Sequence, residues 1–236
     1  MIRYINVLFF AGMVFMNYLA NALPLNGRTT GQVSDNLSNL FTPAGLTFSV
    51  WGIIYLLLAI FCILQFTPAA KELAIGFGWI FALSCVFNAT WIVAWHYDKL
   101  PLSLILMIGL LVSLIFLNIQ IKDQPYNLVK AAFGIYLGWI CIATIANVTA
   151  VLVSINWGGF GISEQAWTII MIAAGTIIVI LALLRLNNPY MGIVVVWAFL
   201  GIIIKRQSDY RLIAVVAAVA ILVVGFFTVR LFLRRV

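Results

Sequence analysis

The sequence predicts an all-α, polytopic transmembrane helix bundle of about eight spans, with seven as the alternative count. Three observations lead there. Of 236 residues 65% are hydrophobic and 8% charged, with a mean hydropathy of +1.18, so no polar face remains to meet water. The apolar runs are about 20 residues long, the length a helix needs to cross hydrocarbon. They show no strand-like alternation, and in lipid every backbone polar group must be satisfied internally, which selects helices and excludes a β-barrel. A multi-pass protein of the cell membrane follows, with the lipid bilayer as its first partner.

Windows between charges and prolines place the spans near 4–22, 46–66, 73–95, 101–120, 127–153, 164–184, 190–204 and 211–230. The first resembles a secretory signal, because Arg3 precedes an apolar run and Ala20-Asn21-Ala22 follows it. A retained span is the better reading, since Asn17, Tyr18 and Asn21 follow the run as they would at an interfacial end. The second opens at Pro43 and Gly45 and carries Phe48, Trp51 and Tyr55 at i, i+3 and i+7 on one helical face. The third carries Asn88, Trp91 and Trp95 with the same spacing, and the fifth carries Tyr136, Trp139, Ala143 and Asn147 on one face. Gly134 and Gly138, four apart in the fifth span, suit close helix packing. The seventh is short, between Pro189 and Lys205, and reads as a full span or as a tilted or partly re-entrant piece.

Eight spans put both termini on one side. Arg3, Lys71, Lys122, Lys130, Arg185, Arg230, Arg234 and Arg235 fall there, against Arg28, Lys99, Lys205, Arg206 and Arg211 opposite, which favours termini inside. The net charge of +7 then reads as topology and lipid-headgroup contact, not as nucleic acid binding. Cys62, Cys85 and Cys141 all fall within spans without paired spacing and read as small core residues.

One connection is long, Leu23 to Gly45, rich in Asn, Gly, Thr and Ser, and it feeds directly into the first aromatic face. A lid over a binding site and a mobile linker are its two readings. Gly158-Gly159-Phe160-Gly161 resembles part of a phosphate loop, but no strand precedes it and no Lys follows, so a turn between spans is expected.

Several chemistries are missing. Asp35, Glu72, Asp98, Asp123, Glu164 and Asp209 all sit in loops or at span ends, whereas ion-coupled transporters hold an ionisable group at membrane depth. No mid-span Lys is placed for a retinal Schiff base, and no Ser nucleophile has a base in reach. His96 stands beside Asp98 at the end of the third span; one His with scattered Cys makes no metal site, and an interfacial polar residue is expected, with axial ligation of a haem-like metal at a pocket rim as the alternative.

What remains are three spans that each present large rings with polar punctuation, Thr47 and Ser49 providing it on the second. An amide cannot stay unpaired in hydrocarbon, so these faces should point into the bundle. Two readings stand: helix packing with Asn88 and Asn147 as hydrogen-bonding glue, or a pocket for a planar hydrophobic small molecule.

At these residues the chain resembles the TspO/MBR family, the tryptophan-rich sensory proteins related to the mitochondrial translocator protein. Pro43, Val50, Trp51 and Tyr55 match the family's second-span signature; Asn88 and Trp91 match the third; Tyr136, Trp139, Ala143, Thr144 and Asn147 match the fifth. Thr42 stands for a proline, Gly45 for a Trp and Ile135 for a proline, Phe48 is one residue out of register, and the proline expected after Trp91 is missing. The resemblance covers roughly residues 1–155 and implies a five-helix domain there, with 156–236 as a three-helix extension.

The resemblance further implies a pocket between helices, capped by the first loop, that binds porphyrins or haem with no cofactor required, and it implies homodimerisation. Carried over residue by residue, Trp51, Asn88, Trp139, Ala143 and Asn147 line that pocket, with Phe48, Tyr55, Trp91, Trp95 and Tyr136 around it. A binding or sensory protein for porphyrin-like ligands is therefore the leading expectation. A facilitative transporter of a small amphipathic solute, a light-dependent porphyrin-degrading enzyme and a structural partner subunit are the rivals. Trp157, Trp167 and Trp197 beyond residue 155 read as interfacial anchors or as an extended ligand surface.

Overall fold

The computed structural model describes residues 1–234 apart from Pro24, Ser38 and Tyr126. Arg235, part of the charge count above, lies outside the described residues, as do Pro24 and Ser38 of the long connection. Among the described residues the chain is helical, with no strand: α1 (Ile2–Ala22), α2 (Thr30–Asn36), α3 (Val50–Leu64), α4 (Lys71–Phe77), α5 (Ile80–His96), α6 (Leu100–Gln120), α7 (Leu128–Ser154), α8 (Glu164–Leu186), α9 (Tyr190–Arg206) and α10 (Arg211–Leu233). Among the described residues six helical segments are long and apolar enough to cross a membrane, α3 being counted with the 3-10 turn Gly45–Ser49 before it, and α4 with α5 would make a seventh as one bent span. The 17-residue α9 corresponds to the short span between Pro189 and Lys205.

Two expectations need correction. The third span is not one helix: α4 and α5 are bent by 66° at a break where Gly78 takes φ 53° and ψ −130°. Only glycine holds that conformation without strain, and the window of apolar residues had hidden it. The bent piece is kept in place by rings, because Phe77 of α4 packs with Phe61 of α3 at 5.6 Å and with Phe133 of α7 at 5.2 Å. The long connection is also more than a loop. Thr29 and Gln32 form a reciprocal capping box that starts α2, so two of the helix's otherwise free donors are satisfied locally.

α7 runs through the centre, with fourteen buried residues, and α9 lies against it. Here the two glycines of the fifth span act: a Cβ on Gly138 would stand 2.6 Å from the main-chain oxygen of Met191, and one on Gly134 would overlap the Asn188 side chain. The contact is sealed by Asn188, whose Nδ2 donates to Asn118 Oδ1 at 2.9 Å and to the Lys130 carbonyl at 3.0 Å. Lys130 itself is wholly buried at the start of α7, where its ammonium donates to the carbonyls of Lys122 and Gln124. At the same end of the bundle, α1 and α3 are joined by Asn6, which donates to Gln65 Oε1 at 3.1 Å.

Candidate functional site

The three aromatic faces meet. Trp51 of α3 stacks on Tyr55 with ring centroids 5.5 Å apart and meets Tyr136 and Trp139 of α7 edge-on at 6.0 and 6.2 Å. Trp91 of α5 lies 6.4 Å from Trp51 and stacks on Trp95 at 5.8 Å. Phe48, in the 3-10 turn Gly45–Ser49 that leads into α3, meets Trp139 edge-on at 5.7 Å. Offset and edge-on pairs of this kind add to the stabilisation from burial alone, and the rings form one continuous wall.

Two adjoining cavities lie against it. The first is lined by Phe48, Trp51, Trp91, Trp95, Trp139, Ala143 and Asn147, with Ile142 and Ala146 beside them and Thr30, Ser34, Thr42 and Pro43 from the long connection above; its free space is about 40 Å³. The second, of about 220 Å³, is lined by Asn17 and Asn21 of α1, Thr30, Gly31, Phe48, Trp51, Tyr55 and Ile92. Thr30, Phe48 and Trp51 border both, so the Trp51 ring is part of the partition. Either chamber by itself is smaller than the several hundred Å³ that enclose a drug-sized ligand.

Of the residues expected at the site, Phe48, Trp51, Trp91, Trp95, Trp139, Ala143 and Asn147 line the first cavity and Tyr55 the second. Asn88 and Tyr136 stand behind them and border neither. Asn17 donates to Asn88 Oδ1 at 2.7 Å and Asn88 donates to the Tyr136 hydroxyl at 2.8 Å, a chain that ties α1, α5 and α7. Asn147 accepts from Trp91 Nε1 at 3.2 Å and donates to Ser103 Oγ of α6 at 3.0 Å. Both asparagines therefore act as interhelical glue, and Asn147 also forms part of the wall.

Three polar atoms around these chambers have no partner among the described residues: Trp139 Nε1, Thr30 Oγ1 and the Tyr55 hydroxyl. Trp139 is 2% exposed and Thr30 5% exposed, so both are shielded from bulk water. An orphaned buried donor or acceptor costs about 1–3 kcal/mol, which a ligand of matching polarity would relieve. His96 is elsewhere: it is buried, its Nδ1 lies 2.7 Å from the Ile92 carbonyl, its Nε2 is unpartnered, and it borders neither chamber. Among the described residues no cluster of three or more His, Cys, Asp or Glu could hold a metal ion.

The long connection covers the first cavity and is fastened on two sides. Toward α5, Asn26 and Arg28 donate to the His96 carbonyl, Arg28 pairs with Asp98, and Trp95 Nε1 donates to the Thr30 carbonyl at 3.3 Å. Toward α9, Arg206 donates to the carbonyls of Asn39 and Leu40, Lys205 pairs with Asp35 at 2.7 Å, and the Ala44 amide donates to the Gly201 carbonyl at 3.0 Å. Trp197 adds an indole donor to the Thr47 carbonyl at 3.0 Å. Sequence reasoning missed Thr30 and Ser34 as lining residues; the Thr29-x-x-Gln32 box was the available signal. It also missed Asn17 and Asn21, whose place was read as interfacial.

The family model described as a TSPO-like protein matches residues 3–230, both halves of the chain included. No curated protein and no solved structure matches it.

Proposed function

The chain belongs to the TSPO-like family, and on that premise we propose an integral membrane binding protein that takes a planar, largely apolar heteroaromatic ligand of the porphyrin class between α3, α5 and α7, beneath the α2 lid. The observation that carries this reading is the pair of orphaned polar atoms, Trp139 Nε1 and Thr30 Oγ1, on the walls of one aromatic chamber. Rings supply the stacking surface and the orphans supply orientation, the usual division of labour in a small-molecule site. The chambers are too small for a tetrapyrrole while Trp51 divides them. Binding therefore involves a turn of the Trp51 ring and a lift of the lid, which together join the two spaces.

The test is a dark titration of detergent-purified protein with protoporphyrin IX, followed by Trp quenching and the porphyrin spectrum. The wild-type chain is expected to bind saturably in the micromolar range. Trp139→Phe keeps an aromatic ring but removes the orphaned N–H together with part of the indole surface, so it should weaken binding roughly tenfold. Unchanged affinity in that variant, or no saturable binding by the wild-type chain, would overturn the reading.

A further inference from the structure

A separate cavity of about 290 Å³ lies at the far end of α7, between the Asn39–Phe41 stretch of the lid connection and the start of α8, with Trp157, Glu164 and Trp167 on its walls. It shares no lining residue with the two chambers described above. The glycine-rich turn that resembles a phosphate loop belongs to this place, and its conformation is unusual. Asn156, Gly159, Phe160 and Gly161 all have positive φ, and Phe160, 85% exposed, is a bulky residue held at φ 53°. Strain of that kind persists where surrounding structure imposes it and concentrates at binding sites.

The turn serves to set one ring. Trp167 Nε1 donates to the Gly159 carbonyl at 2.8 Å, and a Cβ at Gly159 would stand 3.1 Å from that same nitrogen. The polar edge of Trp167 is thereby satisfied, and what it offers the cavity is its π surface. Trp157 completes an aromatic corner, with its ring centroid 5.1 Å from that of Trp167 at an interplanar angle of 55°.

Charge decides what such a corner takes. A glycine turn ahead of a helix start would ordinarily suit a phosphate, but the first residue of α8 is Glu164, whose carboxylate takes up the favourable end of the helix dipole and repels an anion. Glu164 makes no ion pair among the described residues, although the chain carries a net charge of +7. Two indole faces beside an unpaired carboxylate attract an organic cation through the ring quadrupoles and the full charge together. The surroundings add an apolar requirement: Val153 and Ile162 line the cavity as exposed residues, and Leu152 and Met171 line it too. The geometry points to a second binding site, for an alkylammonium amphiphile whose cationic head sits between Trp157, Trp167 and Glu164 and whose tail follows the apolar side.

The proposal does not depend on the porphyrin reading and is tested apart from it. The full chain in nanodiscs of neutral lipid is titrated by calorimetry with decyltrimethylammonium and, in parallel, with decyl phosphate, which carries the same tail with the opposite charge. Saturable binding of the cation is expected, at least tenfold tighter than any binding of the phosphate. E164Q, at an exposed position that does not endanger folding, should weaken it about tenfold, and Trp157→Leu should do the same. Trp51→Ala, in the other chamber, should leave it within twofold. Equal affinity for both probes, or an unchanged affinity in both E164Q and Trp157→Leu, overturns the site.

Discussion

Arg206, the last residue of α9, donates from its guanidinium to the main-chain oxygen of Asn39 at 2.7 Å, 167 residues earlier in the chain. A second bond, from Nε to the Leu40 carbonyl at 3.0 Å, makes the grip two-pronged. The helix that lies outside the first five spans thus holds the cover of a chamber built by them. Fork geometry suits this role, since Arg presents several donors in fixed directions to adjacent carbonyls.

Removing that grip should loosen the lid selectively. Hydrogen bonds from a charged donor contribute about 1.5–3 kcal/mol each, so Arg206→Ala should speed amide exchange over residues 30–44 by at least tenfold. Lys205→Ala breaks only the pair with Asp35, whose side chain is half exposed, and should change exchange by less than about fivefold. Hydrogen exchange read by mass spectrometry separates the two. Equal protection in Arg206→Ala would show that the connection is held by its other fasteners.

Asn88 is expected to matter for stability and not for ligand affinity. Asn88→Ala leaves Asn17 Nδ2 without its side-chain acceptor and the Tyr136 hydroxyl without its donor. Interhelical bonds of this class in membranes are worth about 0.6–2 kcal/mol, so thermal unfolding in detergent should show a loss of about 1–2 kcal/mol. Protoporphyrin IX affinity should stay within threefold, because Asn88 borders neither chamber. A large loss of affinity in a well-folded variant would place Asn88 in direct contact with ligand.

Two glycines provide a contrast. At Gly138 a Cβ would meet the Met191 backbone, which cannot step aside as a side chain can, and Gly138→Ala should destabilise by about 1–3 kcal/mol. At Gly12 of α1 a Cβ meets nothing within 4 Å, and Gly12→Ala should be neutral or stabilise by up to about 1 kcal/mol. If both variants unfold at the same temperature, the close approach of α7 and α9 is not what positions α9.

The sequence by itself determined the class of molecule, the positions of the spans and the faces that would be turned inward. Those follow from local terms: hydrophobicity over about 20 residues, 3.6-residue periodicity, and the need to pair amides in hydrocarbon. Seven of the ten expected site residues line one cavity, because Trp91 and Trp95 share one face of α5 and Trp139, Ala143 and Asn147 one face of α7, and such faces can be counted along the chain. The tertiary structure decided the rest. A sum of hydropathies does not register one positive φ, so the break at Gly78 was invisible in the window around it. Counting along a helix does not say which ring faces an open space and which side chain is used between helices, so Asn88 and Tyr136 went to the frame and Thr30, Asn17 and Asn21 came to the chambers. The attachment of the lid to α9 joins residues some 160 positions apart, and no local pattern carries information over that separation; only the packing of α9 into the small-residue face of α7 brings Arg206 to Asn39.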